Sequence, residues 1–193
     1  MKLKHYHFET LDSTNEWAKK NLGSFDKAAL TLVSADEQSA ARGRYGRSWI
    51  SPKGINLYAT YCFFPISEQC DPLQLTHVMS LSISKLLENK NLKGQIKWPN
   101  DILIEKKKIA GILCETVPQV KSMGVILGVG FNVNMELAAL EKITQPATSL
   151  FNELKKKEDV TAILGQLTDY FQHDLKLYFE KGFEPFYSRL NPE

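Results

Sequence analysis

No apolar run in this chain of 193 residues approaches the roughly 20 needed to cross a bilayer as a helix, and Met1-Lys2-Leu3-Lys4-His5-Tyr6-His7 has no continuous apolar stretch of the secretory-leader kind. Both absences predict a soluble, unprocessed protein with no membrane partner. Cysteine is scarce and odd in number: Cys62, Cys70 and Cys114 form no C-x-x-C and no metal-like spacing with His5, His7, His77 or His173. A disulfide framework is not expected, no metal ligand set is assigned, and a reduced cytoplasmic setting fits. Excess charge is lacking as well. The 24 basic residues nearly cancel the 22 acidic ones, and a net charge of +2 is too mild for a dedicated nucleic-acid binder. Internal repeats, low-complexity tracts and Pro/Gly/Ser-rich linkers are missing too, so residues 1–193 are expected to share one core. With 43% hydrophobic residues that core can be substantial.

Strand and helix signals alternate along the chain. Leu3 to Thr10 reads as a strand, and Ser13 with Glu16 three residues on has capping-box spacing, which starts a helix ending near Gly23. Ala29 to Ala35 and Ile55 to Phe64 read as strands, the second rich in aromatic and β-branched residues and closed by Pro65. Between them, Glu37 to Gly54 is long for a connection in a compact domain, and such loops are commonly functional. Asp71-Pro72 opens a helix with Leu75, Val78, Met79, Ile83, Leu86 and Leu87 on one face. Segments 95–98, 101–105, 108–116 and 123–134 read as successive strands, 137–156 gives no clear period, and Val160 to Tyr178 carries a helical apolar stripe. The predicted fold is α/β of the α+β type, a mixed and largely antiparallel sheet with packed helices.

Chemistry is concentrated in a few segments. Ala41-Arg42-Gly43-Arg44-Tyr45-Gly46-Arg47-Ser48-Trp49 alternates guanidinium groups with glycines and ends on an indole. Glycines let the backbone approach a ligand, guanidinium groups fork onto carboxylate or phosphate, and an indole stacks on a purine. That composition suits an anion-and-base pocket and equally a solvated basic loop or an RNA contact. Lys97-Trp98-Pro99-Asn100-Asp101 leads to Lys108-Ile109-Ala110-Gly111-Ile112-Leu113-Cys114-Glu115. Asp101 there could orient an amine or a metal and Lys108 could meet a developing acyl phosphate, although Pro-Asn-Asp is also ordinary turn chemistry. Gly128-Val129-Gly130-Phe131-Asn132 suits ribose or phosphate contact, and close strand packing explains it about as well. Ser13-Thr14-Asn15 is explained by helix capping, which ligand binding at a helix N-terminus does not exclude.

Taken in order, the segments 11–15, 37–49, 51–58, 97–101, 108–115 and 128–134 resemble the catalytic domain of biotin protein ligases over nearly the whole chain. The resemblance implies an enzyme that converts biotin and ATP, with Mg²⁺, to biotinyl-5′-AMP and pyrophosphate. Biotin then passes to a lysine of a biotin carboxyl carrier protein, such as the carrier domain of acetyl-CoA carboxylase. It implies biotin contacts from Ser13, Thr14, Asn15, Gln38, Arg42, Gly43, Arg44 and Lys108. For the nucleotide it implies Arg42, Arg44, Arg47, Trp49, Asn100, Asp101, Lys108 and Asn132, with Lys108, Asp101 and Arg44 catalytic. A homodimer is compatible with the family.

Three departures accompany the resemblance. Ala41 stands where the family usually has the first glycine of Gly-Arg-Gly-Arg, so loop ordering changes if that position needs a positive φ. The motifs begin by residue 11, so no DNA-binding domain and no DNA partner are expected, and the small β-domain of many bacterial relatives is expected to be absent at the other end. A lipoate-protein ligase or octanoyl transferase shares the fold, but the Arg-Arg-x-x-Gly-Gly-Gly loop with a following His does not occur here. A non-catalytic nucleic-acid-binding module built on Arg42, Arg44, Arg47, Tyr45 and Trp49 is the rival from another class, and the near-neutral remainder argues against it.

Overall fold

The computed structural model describes residues 1–65, 70–119 and 122–190. Seven strands form one sheet: β1 (Lys2–Leu11), β2 (Ala29–Gln38), β3 (Leu57–Phe63), β4 (Gln95–Lys97), β5 (Asp101–Ile104), β6 (Lys107–Gln119) and β7 (Ser122–Phe131). Their spatial order is β1-β2-β3-β7-β6-β5-β4. Only β1 and β2 pair in parallel, because a parallel pair needs a crossover and helix α1 (Thr14–Asn21) supplies it. The other neighbours are antiparallel, so the expected mixed, largely antiparallel α/β architecture is the one observed.

Side-chain alternation along each strand divides the sheet into two faces. Val125, Leu127, Val129 and Phe131 of β7 join Leu57, Ala59, Tyr61 and Phe63 of β3 in the main core. Helices α2 (Pro72–Glu88) and α5 (Val160–Lys181) cover that face. All six residues expected on the apolar face of α2 are buried. Its start is fixed as the sequence suggests, with Asp71 accepting from Leu73 N at 2.7 Å and Pro72 in the first turn. In α5 the stripe Ile163, Leu167, Phe171, Leu175 and Tyr178 is buried, and Phe171 meets Tyr61 at 5.0 Å between ring centroids. A smaller cluster of Ala18, Leu22, Phe25, Val33, Cys62, Phe64 and Ile126 seats α1 on the opposite face.

Several boundaries differ from expectation. Ser13 caps α1 by accepting from Glu16 N, but Ser13 N donates to Asp12 and the Glu16 carboxylate pairs with Lys19, so the capping box is only half made. The strand expected through Glu105 stops at Ile104, because Glu105 and Lys106 turn the chain with φ of 47° and 68° in place of the Asn-Gly type of pair that such a hairpin favours. The strand expected to reach Asn134 ends at Phe131. The aperiodic stretch after it contains two short helices, α3 (Leu137–Leu140) and α4 (Leu150–Leu154), the latter capped by Ser149. No helix among the described residues is long and apolar enough to cross a membrane.

His77, one of the histidines expected in a core or surface polar role, is 4% exposed on α2 and meets the Trp98 ring edge-on at 4.0 Å. Burial lowers its pKa from the ordinary 6.5, against a smaller opposing pull from Asp71. The unfolded chain therefore takes up a proton at His77 before the folded protein does, and stability falls as pH drops through 6.5 toward the folded value. Urea midpoints are expected to decline between about pH 7 and pH 5, and less steeply in His77→Gln; parallel declines would remove His77 as a source.

Candidate functional site

The face that holds α1 becomes a cleft farther along the same strands. On β7 the positions pointing to this face are 124, 126, 128 and 130: Gly124 lies against Leu22 and Ile126 enters the small core. A Cβ on Gly128 would come within 2.2 Å of Asn15 Oδ1, and one on Gly130 within 2.4 Å of the Trp49 indole. On β6, a Cβ at Gly111 would stand 3.1 Å from both Trp49 and Lys108. Apolar packing thus gives way to an amide, then to an indole lying almost on bare backbone. Close packing is what these glycines serve directly, and through it they set the floor of a cleft of about 670 Å³, well within the size range of ligand sites, roughly 300–1,000 Å³.

One end of this floor is lined by uncharged polar groups. Thr14 N and its hydroxyl donate to Gln38 Oε1 at 2.9 and 3.1 Å, and Gln38 Nε2 donates to Ser51 Oγ at 3.1 Å. The Thr60 hydroxyl lies 2.8 Å from Thr14 Oγ1 and donates to Asn15 Oδ1 at 2.6 Å. Asn15 Nδ2 donates to Glu115 Oε2 at 3.0 Å, and Glu115 Oε1 accepts from Lys19 Nζ at 2.7 Å. Burial alone would pull the Lys19 ammonium down, but its bonds to Glu115 and Glu16 hold its pKa above the ordinary value. Ser13, Thr14, Asn15 and Gln38 all line the cleft, so capping by Ser13 and access to a ligand coexist at the start of α1.

The other groups lining the cleft are strongly cationic. Six basic side chains, Arg42, Arg44, Arg47, Lys97, Lys108 and Lys142, face a single acidic one, Asp101. Lys108 Nζ sits 2.7 Å from Asp101 Oδ1 and 5.2 Å from the centre of the Trp49 ring. That contact is an ion pair without hydrogen-bond alignment, since Asp101 Oδ1 is buried and receives no hydrogen bond among the described residues; Trp49 Nε1 is likewise buried and unpartnered. Arg44 Nη1 donates to Asn100 Oδ1 at 3.2 Å, and Asn100 Nδ2 donates to Ile112 O at 3.0 Å. The arginine loop is thereby latched to the turn before β5.

Within that loop the chain doubles back on itself. Gly43 N donates to Arg47 O and Trp49 N to Ala41 O, and Arg42 bridges Ser48. The left-handed positions are Tyr45, at φ 58°, and Gly46, at φ 72°. Ala41 is buried and has no positive φ, so the substitution of the family's glycine there puts no strain on this conformation. Arg42 and Arg47 are exposed, and their guanidinium groups have no hydrogen-bond or ion-pair partner among the described residues.

Every residue expected to act on ligand therefore borders one cleft, Gly43 and Asn132 included. Asn132 differs in character from the rest, because its amide donates to Thr148 O at 3.0 Å and braces the segment before α4. That segment also contains cleft residues the sequence did not disclose: Lys142, Ile143, Thr144, Gln145 and Ala147. They lie in the stretch without periodicity, and what places them is main-chain pairing of Lys108 N with Pro146 O and of Thr148 N with Lys108 O. Ile50 and Trp98 also border the cleft. Their exposure, 47% and 54%, leaves no trace in sequence.

Residues 7–132 match the family model described as the biotin/lipoate A/B protein ligase family. Among curated relatives, the bifunctional ligase/repressor BirA of Bacillus subtilis is 34% identical over 93% of this chain and 56% of its own length. The biotin--[acetyl-CoA-carboxylase] ligase of Paracoccus denitrificans is 33% identical over 90% of this chain and 74% of that protein. The biotin protein ligase from Aquifex aeolicus in complex with biotin and ATP superposes with a TM-score of 0.81 at 32% identity, covering 97% of this chain and 76% of that one. The chain spans a little over half the length of the first of these relatives.

If Gly130 exists to seat Trp49, then Gly130→Ala must push the indole away from the floor and expose its buried Nε1 edge. The expected result is a red shift and lower intensity of tryptophan emission, absent when the same change is made in a Trp49→Phe background. Gly165→Ala on α5, where a Cβ meets nothing within 4 Å, is the control expected to leave emission unchanged. Unaltered emission in Gly130→Ala would contradict the packing role.

Proposed function

Because the chain belongs to the biotin/lipoate A/B protein ligase family, we propose that it activates biotin with ATP and transfers it to a lysine of a carrier protein. The observation that carries this reading is the division of one cleft between an uncharged hydrogen-bonding floor and a wall of six cations. A neutral polar headgroup suits the first, and a carboxylate beside a triphosphate suits the second.

In the first half-reaction a carboxylate oxygen of biotin attacks the α-phosphorus of ATP, the bond to the β-phosphate breaks, and pyrophosphate leaves. Two anions must be brought together, so fixed cations at Arg42, Arg44 and Lys108 offset the repulsion and stabilise charge that develops in transit. Arg47, Trp49, Asn100 and Asn132 are assigned to the nucleotide, with the indole of Trp49 as its stacking surface. The product is a mixed anhydride that water destroys, which gives the hairpin loop 41–49 a purpose as a cover. In the second half-reaction the lysine amine attacks the acyl carbon, the anhydride bond breaks, and AMP departs with the electron pair. Asp101 is the group assigned to take the amine's proton; engagement of Lys108 by the substrate anion would release this carboxylate from its 2.7 Å ion pair.

Among the described residues no group of three histidine, cysteine or acidic side chains is placed to hold a metal. Asp101 Oδ1, buried and lacking a hydrogen-bond donor, fits the sort of single carboxylate that joins substrate phosphates around Mg²⁺, with Asn100 beside it. When bound, Mg²⁺ would neutralise phosphate charge. For the carrier we assign the biotin carboxyl carrier domain of acetyl-CoA carboxylase, following the name of the Paracoccus relative, and we place the reaction in the cytoplasm, in line with three free cysteines.

Incubation with radiolabelled biotin, Mg-ATP and a purified carrier domain is expected to label the carrier, with no labelling when ATP is omitted. Labelling by lipoate in place of biotin would overturn the substrate assignment. Lys108→Ala is expected to slow biotin-dependent pyrophosphate release about 100-fold, the scale on which loss of one charge-stabilising group acts. A wild-type rate of release would remove Lys108 from the adenylation step.

A further inference from the structure

Exposed apolar side chains form a continuous row that starts at the mouth of the cleft. Trp98 borders the cleft, and its ring centre lies 4.0 Å from that of His77 on α2. The His77 ring is in turn 6.0 Å from Phe183, and Phe183 is 5.3 Å from Tyr187, the first residue of the short last helix, α6 (Tyr187–Leu190). Leu73 stands one turn before His77 and on the same side of α2. Trp98, Tyr187 and Leu73 are 54%, 59% and 48% exposed, Phe183 is half-buried, and His77 is buried. Apolar side chains exposed singly are ordinary, but a contiguous row of them marks a surface that another molecule covers. The reaction as described gives these residues no task.

What covers the row follows from where it begins and from the charge of the cleft. The second half-reaction brings a lysine to an acyl-adenylate inside the cleft, and a lysine reaches only on its four-carbon stem. The body of the carrier must therefore lie against the rim, of which Trp98 is a part. The cleft itself cannot recruit that lysine. In solution the amine is an ammonium, whereas the cleft presents six basic side chains against one carboxylate, and the single phosphate of the adenylate does not reverse that balance. Attraction has to come from outside the cleft and without help from the charge of the amine. The row meets both conditions, being apolar and continuous with the rim.

We propose that Leu73, Trp98, Phe183 and Tyr187 form the docking surface for the carrier, and that it takes a folded domain with apolar side chains beside its acceptor lysine. The assignment rests on the biotin-transfer reading above and deepens it: the cleft supplies the chemistry, and the row selects the protein that receives the product. A lysine on an arbitrary protein surface meets the repulsion of the cleft with nothing to offset it. A lysine with apolar flanks is held at the mouth while it reacts. His77 supports this surface from below, between the rings of Trp98 and Phe183.

The test measures KM and kcat for a purified biotin carboxyl carrier domain, together with carrier-free formation of biotinyl-adenylate, in the wild type, Y187S, L73S and Y6S. Tyr6, 41% exposed, lies on β1 at the other edge of the sheet and stacks with Phe25 on the face of α1, so Y6S makes the same chemical change off the row. Y187S is expected to raise the KM for the carrier about tenfold, the scale on which loss of one aromatic anchor acts, and L73S about threefold. In both, kcat and adenylate formation are expected to stay near wild type, and Y6S is expected to change nothing. A wild-type KM for the carrier in Y187S and L73S overturns the proposal, as does a loss shared equally by adenylate formation. Should Y187S fail to fold, L73S decides, an unchanged KM there being the contrary result. Variants that turn a dimeric wild type into monomers while the KM for the carrier holds would give the row to a second copy of the chain and overturn the proposal as well. A wild type that labels no carrier with biotin sinks the parent reading and this one together, whereas labelling by the wild type with indifferent variants sinks this one alone.

Discussion

Alternation of side chains along β7 is the constraint on which the rest of the molecule depends. A strand cannot show the same face twice in succession, so Val125, Leu127, Val129 and Phe131 are committed to the core under α2 and α5. Residues 124, 126, 128 and 130 are then left for the face of α1. Three of those four are glycines, against Leu22, Asn15 and Trp49 in turn. One strand thereby builds a dry core on one side and the floor of a ligand cleft on the other. A shift of one residue in its pairing would exchange the two.

Around this floor the site is assembled from parts of different stiffness. Thr14, Asn15, Gln38, Thr60 and Glu115 belong to α1 and to strands of the sheet, and each is held by hydrogen bonds across elements. Arg42, Arg44 and Arg47 belong to a hairpin loop, and among the described residues the one hydrogen bond from these three side chains to the rest of the fold is Arg44 to Asn100. Lys108 stands between these regimes. Its backbone opens a long strand, and the same backbone holds the 146–148 segment in place.

Much of this was legible in the sequence where physics is local. The apolar stripes of α2 and α5, the Asp71-Pro72 start, and the glycine- and arginine-rich loop follow from periodicity, capping and backbone freedom over a few residues. The expected site residues of 41–49 lie in a segment of unusual composition, whereas Ser13-Thr14-Asn15 and Asn100-Asp101 read locally as a helix cap and a turn. What could not be read depends on contacts distant in the chain. Lys142 and Gln145 reach the cleft because Lys108 pairs with Pro146 and Thr148, and Asn15 is bonded to Glu115, 100 residues away in the chain. The Glu105–Lys106 turn hides for a different reason: its residue types do not favour positive φ, and the pairing of β5 with β6 imposes it.

The separation of floor from loop has a consequence for how the molecule meets its ligand. Thr14, Asn15 and Gln38 are ordered by the fold itself, so on the proposed reading little ordering at that end is left for binding. Arg42 and Arg47 are exposed and make no side-chain hydrogen bond or ion pair among the described residues; on the proposed reading, their ordering is deferred until an anion arrives. In this sense the fold is modular at the scale of a single pocket: side chains braced by the sheet line one part, and a loop with free guanidinium groups lines the other.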